Sequence, residues 1–111
     1  MDISVRQATG NTVVVEVSGQ IDLSNSTQLR KVLLREIKEN HTARLAINLS
    51  KVSYIDSSGI ASLVEGLKAA RDAGSRLMLV GVIGSAREVL QLSRLLKLFE
   101  LYDTEEQALA T

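Results

Sequence analysis

The sequence predicts an α/β domain: a small mixed β-sheet packed with about four α-helices. Three observations lead there. A Gly-Asn pair at 10–11 separates "ISVRQ" from "NTVVVEVSG", which signals a hairpin and so an antiparallel opening. Downstream, "ARLAINLSKV", "SSGIASLVEGLKAARDAG" and "SRLMLVGV" follow one another as buried strand, amphipathic helix and buried strand, a βαβ unit whose strands run parallel. The chain has 111 residues, no proline, and neither a repeat nor a low-complexity linker, so residues 1–111 read as one domain.

The elements follow in order. Gly19 is expected to close the second strand. In "LSNSTQLRKVLLREIKEN" the apolar residues Leu29, Val32, Leu33 and Ile37 recur at helical spacing, and Ser24 or Ser26 is placed to cap them. The second helix carries Ile60, Leu63, Val64 and Leu67 on one face and stops at Gly74. Ser85 and Glu88 stand in capping-box spacing at the start of "GSAREVLQLSRLLKL", read as one helix. "FELYDTEEQALA" reads as a short strand and a last helix capped by Asp103. The leucines of "LLKLFEL" are taken as core rather than as a partner groove.

Composition removes several classes of function. Thirteen basic and thirteen acidic side chains cancel, so nothing draws the protein onto phosphate backbones or anionic lipid. Tyr54, Phe99 and Tyr102 are the only aromatic residues, too few for base-stacking platforms, and the core must be built from Val, Ile and Leu. There is no cysteine and a single histidine, His41, which leaves no thiolate and little prospect of a metal site. No cofactor is expected. The N-terminus lacks a signal-peptide pattern, and no apolar run approaches the roughly 18 residues that span a bilayer. A soluble, cytoplasmic protein without membrane insertion is the expectation.

The stretch "YIDSSG" at 54–59 carries the functional question. Asp56 or Ser57 is a natural N-cap for the helix that follows. With Ile60 at zero on a helical wheel, Ser57 falls about 60° away, at the edge of the apolar stripe, and Ser58 about 160° away. Ser57 is therefore expected inward and Ser58 outward, on a face shared with Ala61, Ser62, Glu65 and Ala69. A phosphate on Ser58 would meet free backbone N–H groups and the positive end of the helix dipole. The alternative is that the stretch is a helix cap and nothing more. A serine nucleophile is disfavoured, because "IDSSGI" lacks the first glycine of the nucleophile elbow and His41 is the only candidate base. Gly81 and Gly84 in "GVIGS" complete neither a Walker loop nor a dinucleotide fingerprint and read as a strand-to-helix turn.

"VSGQIDLSNSTQLRK", "LAINLSKVSYIDSSGIASLVEGLKAARDAGSRLMLVG" and "VLQLSRLLKLFELYDTEEQAL" together resemble the STAS domain, specifically its stand-alone bacterial anti-sigma factor antagonists, over almost the whole chain. The resemblance implies that the second serine of the motif, Ser58, is phosphorylated by an anti-sigma factor that is itself a serine kinase. It further implies partner switching. The unphosphorylated antagonist binds the kinase, the phosphorylated one is released, and a PP2C-type phosphatase resets it. The family's G-x-x-D is matched by Gly19 and Asp22, which gives Asp22 a part in the kinase interaction. The implied partner surface comprises Asp22, Asp56, Ser57, Gly59, Ala61, Ser62 and Glu65. Two positions depart from the common pattern: Asn48 stands where many members have aspartate, and Ala61 where many have a second glycine. The protein itself is then not an enzyme, binds no nucleic acid, and is a monomer or weak dimer. Alternatives are a static STAS adaptor in a transport or envelope complex and, more remotely, a weak nucleotide-hydrolysing enzyme.

Overall fold

The computed structural model describes every residue from Met1 to Thr111. β1 (Asp2–Ala8) and β2 (Thr12–Ile21) pair antiparallel as expected. Their turn places Gly10 (φ 69°) and Asn11 (φ 51°) in the left-handed region, which glycine and asparagine enter at least cost and which matches the twist of a hairpin. β3 (Arg44–Ile55), β4 (Arg76–Val80) and β5 (Glu100–Tyr102) then add in parallel, so spatial order equals chain order, β1-β2-β3-β4-β5. The crossovers are α1 (Ser26–Leu34), α2 (Ser57–Ala73) and α3 (Gly84–Leu92), and α4 (Glu105–Leu109) closes the chain.

Alternation along the central strands assigns the two faces of the sheet. Val13, Val15 and Val17, with Leu45, Ile47, Leu49, Leu77 and Leu79, join α1, α2 and α3 in the larger core. Val14, Ala46, Met78 and Val80 pack with Ala108 of α4 on the other face. Both faces of the middle strands are covered, and this is why β3 and β4 read as nearly continuous apolar runs. The larger core is aliphatic apart from Phe99. No helix is long and apolar enough to cross a membrane.

Several local expectations are corrected. β2 does not end at Gly19; it continues to Ile21 past a register shift, and Gly19 (φ 89°) occupies that irregularity. Neither Ser24 nor Ser26 caps α1. The N-cap is Asn25, without a side-chain cap bond, while the Ser24 hydroxyl donates to Asp22 Oδ1 (2.5 Å). The helix also widens into a π-turn over Arg35–Glu39. α3 begins after Ile83 with no side-chain cap; the Ser85 hydroxyl donates to the Ser53 carbonyl instead (2.8 Å). α3 stops at Leu92, and a single 3-10 turn, Leu96–Leu98, leads into β5. Of the leucines in "LLKLFEL", Leu95, Leu96 and Leu101 do pack against the larger core, whereas Leu98 is 40% exposed, as is Leu92 just before them at 85%. Finally, Thr104 rather than Asp103 caps α4, its hydroxyl accepting from Gln107 N (3.2 Å).

Candidate functional site

The site forms where β2 and β3 end and α1 and α2 begin. β3 delivers Asp56 in an extended conformation (φ −102°, ψ −175°), and Asp56 caps α2. Its Oδ1 accepts from Ser58 N (2.9 Å), Gly59 N (3.1 Å) and the Ser58 hydroxyl (2.5 Å). Its Oδ2 accepts from Leu23 N (3.2 Å), in the loop between β2 and α1. The Asp56 N–H donates to the Ile21 carbonyl (3.1 Å). One carboxylate thus ties two loops together. Hydrogen bonds to its charged form, the Ser58 hydroxyl first among them, hold the Asp56 carboxyl below the usual aspartate range despite partial desolvation.

The β2–α1 loop is internally braced. Asp22 Oδ1 accepts from Ser24 N (3.0 Å) as well as from the Ser24 hydroxyl. Asn25 Oδ1 accepts from Asp22 N (2.9 Å), and Asn25 Nδ2 donates to the Gln20 carbonyl (2.9 Å). Asp22 is accordingly a turn-forming residue whose carboxylate faces its own loop. It is brought beside the cap through its neighbour Leu23.

Ser57 and Ser58 exchange the places that the helical wheel assigns. Ser57 is exposed and Ser58 only partly so. The cause is a second packing direction. α2 lies on the sheet through Ile60, Leu63 and Leu67, but it also lies against α1. There the Ser62 hydroxyl donates to the Ser26 carbonyl (2.9 Å), and Gly66 faces the Leu33 side chain. Gly59, Ser62, Gly66 and Ala69 are all buried. A wheel that counts only large apolar residues omits this seam of small ones, whose spacing of three and four residues is the signal that would have found it.

The same seam divides the expected partner surface. Ser57, Ala61 and Glu65 are exposed; Gly59 and Ser62 are buried and serve packing. At Gly59 a Cβ would lie 2.6 Å from Ile55 Cγ1 and 2.7 Å from Ile21 Cγ2, so the helix start approaches both strand ends through this residue. Ser57, Ala61 and Glu65 line a shallow open groove of about 420 Å³, completed by Ile60, Val64, Ser93 and Leu95. Glu65 also pairs with Arg30 (3.2 Å), both side chains being about half exposed.

Sequence reasoning passed over the exposed apolar residues around this end of the sheet. Leu23 is 80% exposed and Ile83 57%, two and three residues beyond the ends of β2 and β4. For Leu23 a signal was present: it stands alone among polar residues in "DLSNS", where a turn supplies no reason for a leucine. Two of the free donors expected for a phosphate at Ser58 are already engaged, since Asp56 accepts from Ser58 N and Gly59 N. His41 follows the π-turn of α1 and precedes β3, at the opposite end of that strand from Ser58, and is no base for it.

The sequence model of the STAS domain matches residues 3–108. The chain is 32% identical over 94 residues to the anti-sigma-B factor antagonist of Staphylococcus aureus, covering 82% of this chain and 86% of that protein. It is 25% identical over 97 residues to the anti-sigma F factor antagonist of Paenibacillus polymyxa, covering 87% and 83%. Among solved structures, an anti-sigma factor antagonist from Mycobacterium paratuberculosis superposes with a TM-score of 0.81 at 26% identity, covering 98% of this chain and 91% of that one. The Bacillus cell fate determinant SpoIIAA in its phosphorylated form gives 0.79 at 24%, covering 98% and 97%. A sulfate transporter family protein from Wolinella succinogenes gives 0.80 at 20%, covering 95% and 87%, so the fold itself is shared by proteins of different roles. The match of that family's model along nearly the full length, with which the superposition on solved relatives agrees, makes this chain a member of the STAS domain family.

Proposed function

We propose that this protein is an anti-sigma factor antagonist that works by partner switching, with Ser58 as the switch. The names of its curated relatives support the antagonist reading. The observation that carries the switch is the carboxylate of Asp56, which holds the Ser58 hydroxyl through one oxygen and the Leu23 N–H through the other. In the unphosphorylated state this carboxylate fixes the β2–α1 loop, and with it exposed Leu23, against the start of α2. That preformed surface, with Ser57, Ala61 and Glu65 beside it, binds an anti-sigma factor serine kinase. The kinase transfers the γ-phosphoryl group of ATP to Ser58 Oγ: an Oγ–P bond forms, the bond to ADP breaks, and the hydroxyl proton is lost.

The transfer removes one of the four donors that Asp56 accepts from, the Ser58 hydroxyl, and puts a near-dianion beside the carboxylate. Repulsion between them loosens the Asp56–Leu23 tie, and the new charge stands at the rim of the docking face. The kinase is released. A PP2C-type phosphatase hydrolyses the phosphoserine and restores binding. The protein contributes no catalysis of its own, and the cytoplasm is where its partners act.

Incubation of the purified protein with its cognate kinase and ATP tests the proposal. A phosphopeptide modified at Ser58 is expected, and one left unmodified there overturns the switch. Ser58→Ala should bind the kinase within a few-fold of wild type, whereas Ser58→Asp should bind about tenfold more weakly or worse. Equal affinities of the two variants would refute an electrostatic mechanism.

A further inference from the structure

β1 forms one edge of the sheet, and nothing in the chain covers its outer side. Its residues are mostly exposed, Val5 by 46%. Natural edge strands of this length are usually blunted by charged side chains, proline, a bulge or a covering element, because unpaired N–H and C=O groups invite another strand. The charges β1 carries, Asp2 and Arg6, are opposite in sign and so oppose a second copy only out of register. Here there is no proline, and β1 runs in unbroken register with β2 from Asp2 to Ala8.

The strand "DISVRQA" is self-complementary in one register. Antiparallel strands related by a two-fold axis normal to the sheet place residues of equal parity opposite each other, so the axis passes through a residue. Centred on Ser4, it sets Asp2 opposite Arg6 of the second strand and Arg6 opposite Asp2. On the other face, Ile3 meets Val5 and Val5 meets Ile3. Moving the axis to Ile3 or to Val5 abolishes both charge pairs and both Ile-Val pairs. Arg6 already bonds Glu105 Oε2 through one guanidinium nitrogen (2.5 Å), and the guanidinium fork has donors to spare for a second carboxylate.

We propose that β1 is a homodimerisation edge: two copies of this chain join β1 to β1 around a two-fold axis at Ser4, making one continuous sheet held in register by reciprocal Asp2–Arg6 pairs. No residue of β1 belongs to the Asp56–Ser58 site, so each copy keeps its own docking surface, and the inference stands apart from the switch.

Charge reversal tests it through sedimentation velocity from micromolar to millimolar protein. Wild type should dimerise with rising concentration, and less so in high salt, since the pairs are exposed. Asp2→Arg and Arg6→Glu should each be monomeric, because each alone opposes like charges. Their equimolar mixture should recover the dimer. In the mixed pair the arginine introduced at position 2 of one variant faces the glutamate introduced at position 6 of the other, and the unaltered Arg6 faces the unaltered Asp2. A wild type that stays monomeric throughout, or a dimer that Asp2→Arg leaves intact, overturns the proposal.

A second measurement does not depend on how Arg6→Glu folds. The chain has no cysteine, so Ser4→Cys introduces a single thiol on the axis, where opposed Cα atoms about 4.5–5.5 Å apart suit a disulfide. Mild oxidation should link Ser4→Cys into a covalent dimer at least about tenfold faster than Gln7→Cys, whose two thiols lie about 20 Å apart in that register. Equal rates overturn it.

Discussion

Replacing Gly59 by alanine separates a packing role from a docking role at the start of α2. The added Cβ would lie 2.6 Å from Ile55 Cγ1, 2.7 Å from Ile21 Cγ2 and 3.1 Å from Ile55 Cδ1. Both isoleucines are fully buried, so neither can swing away, and the helix start must lift off the strand ends. Overpacking of this kind costs about 1–3 kcal/mol, against a helix-propensity gain of at most about 1 kcal/mol that is smaller in the first turn. The net expectation is a loss of about 1–2 kcal/mol, or a fall in Tm of about 4–8 °C.

Gly66→Ala in the same helix is the internal control. There the nearest atom is Leu33 Cδ1 at 3.0 Å, followed by Leu77 Cδ1 at 3.4 Å. Leu33 is as buried as the isoleucines, but its terminal methyl need give by only a few tenths of an ångström. The propensity gain of about 1 kcal/mol should offset a small rearrangement and leave stability near that of wild type. Thermal and urea unfolding followed by circular dichroism read both variants. A Gly59→Ala protein as stable as wild type, or no less stable than Gly66→Ala, would refute the reasoning. Loss of kinase binding with an unchanged melting curve would return Gly59 to the docking surface.

Two further perturbations probe the carboxylates. The folded pKa of Asp56 is lowered, so its stabilising contribution is present above the ordinary aspartate range and is lost as pH falls through the lowered value. Asp56→Asn keeps an N-cap acceptor but removes that charge, so urea midpoints should fall more steeply on acidification in wild type than in the variant; parallel profiles would argue against the bonded carboxylate. Asn48→Asp should cost about 1–2 kcal/mol at neutral pH, because Asn48 Nδ2 donates to Glu105 Oε1 at 2.8 Å and an aspartate there offers a second acceptor in place of the donor. Acidification should narrow the gap between Asn48→Asp and wild type in the same urea assay, and a variant as stable as wild type at neutral pH would count against the pair.

The fold was legible because its signals are local and repeated. The Gly-Asn turn, the βαβ succession and the left-handed Gly74 (φ 72°) each leave a mark within a few residues, and the antiparallel β1–β2 pair and the parallel β3–β4 pair follow from them. What failed depends on who the neighbour is. Ser58 was turned outward by a wheel that knew the sheet but not α1, and the small residues Gly59, Ser62 and Gly66 carry no hydrophobic signal even though they set the depth of helix packing. Caps failed where tertiary partners outcompeted local ones, as when the Ser85 hydroxyl went to the Ser53 carbonyl. Asn48, read from sequence as a departure from the family pattern, has a local reason: its amide supplies the donor that Glu105 needs, and that carboxyl is held below its usual range by Asn48 first and Arg6 next.

The placement of two adjacent serines bears on why a switch would use the less exposed one. A phosphate on exposed Ser57 would project into solvent at the lip of the groove, beside backbone that bears no part of the tie between loops. It would add charge and little else. Ser58 donates its hydroxyl to the same carboxylate that holds Leu23, so modification there exchanges an attraction for a repulsion at the one group joining the β2–α1 loop to α2. The difference between the two states is then larger than the charge alone, because a ligand-binding loop loses an anchor at the moment the rim becomes anionic. Under the proposed mechanism, partial burial would limit the reach of that hydroxyl to a kinase that already grips the surrounding surface. On this reading the requirement couples recognition to modification: the form that binds well is the form that can be phosphorylated, and phosphorylation ends the binding.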